Sequence, residues 1–324
     1  MAVTTILPEL TGVKLGVMRE SQWPSSVSIR EVGPRDGLQN EQPVPTADKV
    51  RLLNALGRTG VKRIEAVSFV HPKAIPQMAD ADEVWSRVHR NEDVRYSALV
   101  PNLRGAERAI AAGFHEIEVV VSASDTHNRK NVNRSTAESL DDIEQIIALA
   151  HQRGVTCQVI VATAFGSPYE GDVPIERVLW VVGRALAAGA DSVSFGDTTG
   201  MATPSRVIEL VGETYLRHPD VPLNLHFHNT RGTGLANVLA ALQVGVRDFD
   251  ASVGGLGGCP YAPGATGNIA TEELVYMVED MGVSTGVDLS AMIDAAATAE
   301  RLVGHKLPSQ VLRAGPRTRT VPAS

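Results

Sequence analysis

Residues 156–195 read TCQVIVATAFGSPYEGDVPIERVLWVVGRALAAGADSVSF, and this stretch indicates the fold. An apolar strand is predicted over Thr156–Thr163, and the segment PIERVLWVVGRALAAG after it has the length and proline start of a helix that ends at Gly189. A second apolar strand begins at Ser192. Nearly continuous apolar runs are typical of parallel strands that are covered on both faces. The stretch therefore predicts one strand–helix–strand unit of a parallel α/β fold.

The same unit recurs on both sides of this stretch. Eight strands are predicted, at Val27–Val32, Arg63–Ser68, Arg95–Val100, Glu116–Ser122, Thr156–Thr163, Ser192–Phe195, Asn224–Phe227 and Asp248–Val253. A glycine that can end a helix comes shortly before five strands, at Gly60, Gly113, Gly154, Gly189 and Gly245. Eight strands alternating with helices over about 250 residues predict a (β/α)8 TIM barrel, with added C-terminal helices. An open doubly wound sheet is the alternative, although no nucleotide-binding GxGxxG follows the first strand.

The composition excludes several classes of protein. The chain has 324 residues, of which 43% are hydrophobic and 4% aromatic, so it can bury a substantial core that is mostly aliphatic. Its formal net charge of −7 argues against a nucleic-acid partner. No apolar run approaches the roughly 20 residues that a membrane-spanning helix needs, so no membrane partner is expected.

The cysteines and the ends of the chain predict its compartment and domain organisation. Cys157 and Cys259 are too few for a disulfide scaffold and indicate a reducing compartment. Charges and prolines interrupt the first 26 residues, so this segment lacks the layout of a signal peptide. We expect a cytoplasmic protein with a leader over residues 1–26, a barrel domain over residues 27–304 that includes the C-terminal helices, and a tail over residues 305–324.

Polar residues that follow barrel strands are candidates for catalysis, because active sites lie at the carboxyl ends of the strands. Arg35 and Asp36 follow the first strand after a Gly-Pro turn, where they form either a solvated ion pair or part of a site. Glu65 lies inside the apolar second strand, and a buried carboxylate must be paired or bind a metal. Asp197 follows the sixth strand and either caps a turn or belongs to the site.

The seventh strand ends in HFH. His226 and His228 are two residues apart, so both side chains project from the same face of a strand. Two imidazoles that converge on one point have the geometry of metal ligands. The alternative is a pair of hydrogen-bonded structural histidines.

A glycine-rich loop, GGLGGCPYAPGATGN over residues 254–268, follows the last strand. Its glycines allow sharp turns and a close approach of the backbone to a ligand. Cys259 and Asn268 lie in this loop, where the thiol has either a chemical role or none. Cys157, inside an apolar strand, is expected in the core.

Several of these motifs together resemble one family of enzymes. The segments EVGPRDGLQNE, SFVHPKAIPQMAD, GDTTGMATP, HFH and GGLGGCPYAPGATGN are similar to those of the 3-hydroxy-3-methylglutaryl-CoA lyase family. These lyases belong to a superfamily of metal-dependent barrels that also contains isopropylmalate synthase. The resemblance covers residues 27–304. The glycine–cysteine–proline loop is specific to the lyases, whereas Arg-Asp and HxH are shared across the superfamily.

The resemblance implies a metal site. Asp36, His226 and His228 would be the protein ligands of a divalent cation, Mg²⁺ or Mn²⁺, and Asn268 would complete or support the site. The reaction of this family is a retro-aldol cleavage, which begins with removal of the proton from the hydroxyl group of the substrate. The candidates for this first base are Asp36, His226 and a metal-bound water.

The resemblance also implies a reaction and roles for the remaining residues. The enzyme would cleave 3-hydroxy-3-methylglutaryl-CoA to acetyl-CoA and acetoacetate by a retro-aldol reaction, or cleave a close 3-hydroxy-3-carboxymethyl acyl-CoA, and would be a homodimer. Arg35 would stabilise the developing enolate, because its charge is permanent. Cys259 would be the acid/base of a mobile loop. Glu65 and Asp197 would orient the substrate and the metal ligands.

Three positions depart from the family pattern. Asn229 and Arg231 occupy a segment where the lyases usually read Asp-Thr-Tyr-Gly-Gln, and Ser167 stands where a cysteine is common. The acyl group of the substrate is therefore open. In the segment after the fourth strand, three cations either contact the phosphates of coenzyme A or form a solvated surface: Arg129, Lys130 and Arg134.

Other functions fit parts of the same pattern. A condensing enzyme that joins acetyl-CoA to a 2-oxo acid, similar to isopropylmalate, homocitrate or citramalate synthase, would share Arg35, Asp36 and HxH. It would generally lack the glycine–cysteine–proline loop. An Fe(II) oxygenase would share the two histidines and one carboxylate. A non-catalytic metal-binding or CoA-binding barrel would need neither Arg35 nor Cys259.

Overall fold

The computed structural model describes residues 23–258, 261 and 266–320. In this part of the chain eight parallel strands close into a barrel, each hydrogen-bonded to the next and the eighth to the first. The strands are β1 Ser28–Glu31, β2 Arg63–Ser68, β3 Arg95–Leu99, β4 Glu116–Ser122, β5 Thr156–Ala162, β6 Ser192–Gly196, β7 Leu223–His226 and β8 Asp248–Ala251. Each observed strand lies at a predicted strand, and closure confirms the TIM barrel over the open sheet.

Helices surround the barrel and extend it at the C-terminus. They are α1 Thr46–Leu56, α2 Ala81–Arg87, α3 Leu103–Ala111, α4 Asp125–Val132, α5 Thr136–Gln152, α6 Ile175–Ala187, α7 Pro204–Arg217, α8 Gly234–Gln243, α9 Thr271–Asp280, α10 Leu289–Val303 and α11 Gln310–Ala314. The expected C-terminal extension consists of α9 and α10, and α11 is a further helix inside the segment 305–324 that was expected to be a tail. Within the described ranges, no helix is both long and apolar enough to cross a membrane.

Glycines connect the helices to the following strands. All five glycines that were predicted to end helices have a positive φ, between 69° and 96°. At Gly60 a side chain is also excluded by space, because a Cβ atom would lie 2.4 Å from the carbonyl oxygen of Gly286. A left-handed residue without a side chain therefore ends the helical turn and redirects the chain into the next strand.

The two faces of each strand differ in chemistry. Residues such as Val159 and Val161 of β5 are fully buried in the apolar core, which includes residues of the surrounding helices. Gln158, which precedes Val159 and projects from the other face of β5, faces the barrel interior, where it accepts a hydrogen bond from Arg30 of β1 at 2.7 Å. Arg30 also lies 2.5 Å from Glu118 of β4. The interior of the barrel is thus polar, and it carries the buried charges that position the site.

Candidate active site

A cavity of about 510 Å³ lies at the carboxyl ends of the strands. One side of it is polar and includes Asp36, His226 and Asp250. Other parts of its wall are apolar and include Val120 and Ile160. Ligand sites in TIM barrels lie at this end, so the cavity is the candidate active site.

A tight turn after β1 brings Arg35 and Asp36 to the cavity. Residues Gly33–Gly37 form a short helical turn in which the amides of Arg35, Asp36 and Gly37 all lie within 3.2 Å of the carbonyl oxygen of Val32. Gly33 has no room for a side chain, since a Cβ atom would lie 2.7 Å from the Glu31 carboxylate. The turn therefore depends on the Gly-Pro sequence that precedes Arg35.

Asp36, His226 and His228 converge in the cavity. Each offers one possible ligand atom, and these atoms lie within 4.8 Å of one another. His226 is the last residue of β7, whereas His228 lies just beyond the strand and forms an isolated bridge with Asn268. Their ring centroids are 5.1 Å apart. The structure therefore brings Asp36 together with two histidines that lie 190 and 192 positions later in the sequence.

The charge states of Asp36 and His228 suit a cation. Burial, with the neighbouring His226, lowers the pKa of His228 to about 3, so this imidazole is neutral. Burial opposes ionisation of Asp36, but its neighbours, Arg35 above all, outweigh it and lower the pKa of the carboxyl group. Nδ1 of His228 is buried and has no hydrogen-bond partner among the described residues. A carboxylate and two imidazoles, one of which has a buried nitrogen without a hydrogen-bond partner, together fit the ligand set of a divalent metal ion.

Asn268 supports this cluster. Its Nδ2 donates to Oδ2 of Asp36 at 2.8 Å and to the carbonyl oxygen of Leu256 at 3.1 Å. Its Oδ1 is buried and accepts no hydrogen bond from the part of the chain that the structure describes. The side chain therefore holds Asp36 through nitrogen and leaves an amide oxygen for a ligand.

Two residues missed by the sequence analysis, Asp250 and Arg30, hold His226 in place. Oδ2 of Asp250 lies 3.2 Å from Nδ1 of His226, and Arg30 donates two hydrogen bonds of 2.8 Å to the same carboxylate. Burial opposes ionisation of Asp250, but Arg30 outweighs it and lowers the pKa. Nδ1 of His226 therefore donates to a carboxylate while Nε2 faces Asp36 at 4.0 Å. Charged residues inside otherwise apolar strands are the signal that would have found this pair.

Arg35 and Glu65 form a buried ion pair beside the cluster. Nε of Arg35 lies 2.7 Å from Oε1 of Glu65, and Nη1 lies 2.9 Å from Oδ1 of Asp36. Glu65 is fully buried, and burial raises its pKa despite the attraction of Arg35. Arg35 is therefore buried and lines the cavity, in contrast to the solvated ion pair that was one of its two predicted settings, and Glu65 has the ion-pair partner that a buried carboxylate requires.

Asp197 holds the loop after β6. Its Oδ1 accepts hydrogen bonds from the amides of Met201 at 2.7 Å and Ala202 at 3.0 Å. Burial raises its pKa to about 6. Its contacts match the turn-capping alternative, and its amide donates to the carbonyl oxygen of His226, which connects this loop to the cluster.

The two cysteines differ in position. Cys259, the predicted acid/base, lies outside the described residues. Gly258 and Tyr261, which flank it in the sequence, both line the cavity. Cys157 is fully buried in β5, and burial raises the pKa of its thiol, so it is a core residue as predicted.

The positions that depart from the family pattern form contacts between loops. Nη1 of Arg231 donates to the carbonyl oxygens of Thr199 at 2.6 Å and Gly200 at 2.9 Å. Asn229 accepts from the amide of Gly234 at 3.1 Å through Oδ1. Arg231 therefore connects the loops after β6 and β7, whereas the bond of Asn229 lies within the segment from β7 to the first residue of α8.

The three cations near α4 have surface partners. Arg129 pairs with Asp125 at 2.8 Å, and Arg134 pairs with Asp142 at 3.1 Å. Lys130 lies over the ring of Tyr169, 5.1 Å from its centroid. Contact with coenzyme A phosphates stays a prediction for all three: Arg129, Lys130 and Arg134.

Comparison with known proteins places the chain among a set of lyases. The family HMGL-like matches residues 26–299. Hydroxymethylglutaryl-CoA lyase YngG of Bacillus subtilis is 48% identical over 90% of this chain and 98% of its own. An (R)-citramalyl-CoA lyase of Chloroflexus aurantiacus is 46% identical over 90% of this chain and 95% of its own. The structure of an HMG-CoA lyase of Acinetobacter baumannii with coenzyme A and 3-methylmalate is 46% identical, has a TM-score of 0.88, and covers 93% of this chain and 98% of that one.

Proposed function

Because this chain belongs to the HMGL-like family, we propose that it is a metal-dependent lyase that cleaves a carbon–carbon bond in a 3-hydroxyacyl-CoA thioester. The proposed reaction converts 3-hydroxy-3-methylglutaryl-CoA to acetyl-CoA and acetoacetate. The observation that carries the proposal is the convergence of Asp36, His226 and His228 beside Arg35 in one cavity. Relatives of 48% and 46% identity, named as lyases of two different CoA thioesters, support the reaction type.

We propose that Asp36, His226 and His228 hold the metal ion and that Asn268 contributes its free amide oxygen. Oxygen and imidazole donors of this kind suit Mg²⁺ or Mn²⁺. The bound ion would acidify the tertiary hydroxyl of the substrate and fix its orientation. We call Asp36, His226 and His228 the ligand cluster. Asp250 would keep His226 in the tautomer whose Nε2 is directed at the other members of this cluster.

The remaining steps fall to side chains of this chain. We propose that Asp36 accepts the hydroxyl proton, because a carboxylate that ligates the ion through one oxygen keeps a second, whereas His226 has Nδ1 bonded to Asp250 and Nε2 directed at the cluster. As the carbon–carbon bond breaks, its electron pair passes to the thioester, and the permanent charge of Arg35 stabilises the resulting enolate. Glu65 orients Arg35 through the 2.7 Å ion pair. We propose that Cys259 then donates the proton that converts the enolate to acetyl-CoA.

An assay of bond cleavage tests the proposal. Purified protein with Mg²⁺ or Mn²⁺ is expected to release acetyl-CoA from 3-hydroxy-3-methylglutaryl-CoA, measured by chromatography. The substitution Asp36→Asn should weaken the affinity for Mn²⁺, measured by calorimetry, by at least about a hundredfold, because it removes a ligand charge. Release of coenzyme A from acetyl-CoA in the presence of a 2-oxo acid, with no cleavage of 3-hydroxy-3-methylglutaryl-CoA, would instead indicate the condensing enzyme.

The proposal also covers the bounds of the barrel domain, the compartment, the assembly and the partners of the protein. The match over residues 26–299 supports a barrel domain over 27–304. We propose that the protein is a cytoplasmic homodimer that binds a CoA thioester and neither nucleic acid nor membrane. Light scattering of the purified protein would give the mass of the assembly, and a monomer at working concentrations would contradict the homodimer.

A further inference from the structure

The cavity has two chemically different sides. Its polar side comes from the end of β7, from β8 and from the turn after β1, which carry the ligand cluster and Asp250. Its other side comes from consecutive strands, with Leu99 on β3, Val120 on β4 and Ile160 on β5. Val120 and Ile160 are register partners in the sheet, so their side chains lie next to each other. We call Leu99, Val120 and Ile160 the apolar wall.

The apolar wall is exposed only toward the cavity. In β4, Val120 is partly exposed whereas the six other residues of the strand are buried. Leu99 and Ile160 are likewise partly exposed, and the three residues before each of them in β3 and β5 are buried. Because all three residues line the cavity, their exposed surface faces its interior. Apolar surface in a ligand cavity favours an apolar group of the ligand.

We propose that the apolar wall binds the alkyl substituent on the hydroxyl-bearing carbon of the substrate and thereby determines which acyl chain is cleaved. This inference rests on the proposed function. In that reaction the tertiary carbon carries a hydroxyl group, a carboxylate arm, a thioester arm and an alkyl group. The hydroxyl group belongs at the ligand cluster, and the thioester oxygen belongs near Arg35. The alkyl group, which has no hydrogen bonds to offer the charged side, then faces the apolar wall.

In this proposal the coenzyme A portion of the substrate extends away from the apolar wall, through the mouth of the cavity. The outer lining of the cavity comes from segments that follow the strands, including Ala74, Ile75, Pro101 and Val132. These segments form the mouth, through which the coenzyme A arm extends to solvent. The apolar wall belongs to the strands themselves, at the level of the ligand cluster, where the short acyl portion reacts.

The space beside the apolar wall can be enlarged or reduced by single substitutions. Replacing Ile160 by alanine would lengthen the pocket. Gly196 of β6 also lines the cavity, and a Cβ atom there would meet Ala162 Cα at 3.5 Å and Thr198 Oγ1 at 3.7 Å. These are ordinary contact distances, so Gly196→Ala can reduce the space without moving the backbone.

The experiment compares substrates that differ only in the alkyl group. kcat/KM is measured for 3-hydroxy-3-methylglutaryl-CoA and for analogues in which butyl or hydrogen replaces methyl. Ile160→Ala should raise the butyl-to-methyl ratio of kcat/KM by at least about tenfold, on the scale of pocket discrimination between alkyl groups. Gly196→Ala should lower that ratio. The control is Val161→Ala, which truncates the next residue of β5, buried on the opposite face, and should leave the ratio unchanged.

The outcomes distinguish a failure of the apolar-wall proposal from a failure of the proposed function. A shifted ratio in Ile160→Ala but not in Val161→Ala supports the apolar wall as the alkyl site. An unchanged ratio, or a KM that rises equally for every thioester, contradicts it, the latter because the wall would then hold the coenzyme A arm. If wild-type protein cleaves no member of the series, the proposed function itself is wrong. If Ile160→Ala does not fold, Ile160→Val and Val120→Ala provide the same comparison with smaller truncations.

Discussion

The two ends of the barrel both carry polar side chains, but their buried polar atoms are satisfied differently. At the amino ends of the strands, around a cavity of about 320 Å³, Arg63 donates to Glu116 at 2.7 Å and Arg95 also pairs with Glu116. At the carboxyl ends, Nδ1 of His228 and Oδ1 of Asn268 are buried without hydrogen-bond partners in the described ranges. Charges that pair with each other stabilise a fold, whereas unpaired buried polar atoms are stabilised by a ligand. The contrast supports the proposed site at the carboxyl ends and a structural role for the charges at the amino ends.

The largest expected effect separates the arginines of the two ends. Arg35→Lys keeps the positive charge but loses the planar group that contacts Glu65 through Nε and Asp36 through Nη1. We expect kcat to fall about a thousandfold, the scale of a lost donor to a developing oxyanion. Steady-state kinetics measure this, with Mn²⁺ titration to verify that the metal affinity is retained.

The matched control at the amino end is Arg63→Lys, which also alters an ion pair to a glutamate. It should lower the melting temperature at most and leave kcat unchanged. A similar fall of kcat in both variants would contradict the division between the two ends.

Buried carboxylates at the two ends should respond oppositely to pH. Burial raises the pKa of Glu31, beside the turn after β1, from 4.5 to about 7. Burial acts the same way on Glu116 at the amino end, but Arg63 and Arg95 outweigh it and lower its pKa. Folded Glu31 keeps a proton that the unfolded chain has released, so its contribution to the unfolding free energy falls as pH rises from 4.5 to 7.

Glu31→Gln, which resembles the protonated acid, should remove this loss. Relative to the wild type, its unfolding free energy should increase by about 3 kcal/mol between pH 4.5 and pH 7, because one pKa unit corresponds to about 1.4 kcal/mol. Urea unfolding at several pH values measures it. Glu116→Gln is the control, because the stabilisation by Glu116 is complete above its unfolded pKa and is lost only toward lower pH. Parallel pH profiles for wild type and Glu31→Gln would disprove the assignment.

The smallest expected effect in this comparison concerns the cysteines. Cys259→Ala should lower turnover by about a hundredfold, the scale of a lost general acid, and leave metal affinity intact. Cys157→Ala, which alters the lining of the amino-end cavity, should reduce stability without changing turnover. Chromatographic turnover assays on both variants test this, and near-normal turnover of Cys259→Ala would remove the thiol from the reaction.

Most of the architecture could be predicted from short stretches of sequence. Glycines before five strands all have the positive φ that ends a helix, and Ser135 and Glu138 form a capping box at the start of α5. The predicted strands differ from the observed ones by two residues or fewer at their ends. These features depend on residues within one helical turn or one strand, which is why local patterns find them.

The candidate site was only partly visible in the same way. Asp36, His226 and His228 were recognised because polar residues stand out where an apolar strand ends. Arg30 and Asp250 were overlooked because each lies inside a predicted strand and not in the segment that follows it, where most candidates were sought. Their charges are stabilised only in the polar interior of the closed barrel, where the two side chains pair with each other.

Periodicity and turn chemistry thus account for the order of strands and helices and for the residues that reach the carboxyl ends. The pairing of Arg30 with Asp250, 220 positions away, and of Asn268 with Asp36, 232 positions away, arises only when β8 joins β1. Closure also divides the cavity into the ligand cluster and the apolar wall. Local sequence carries no information on such contacts, because their partners meet only after the barrel closes.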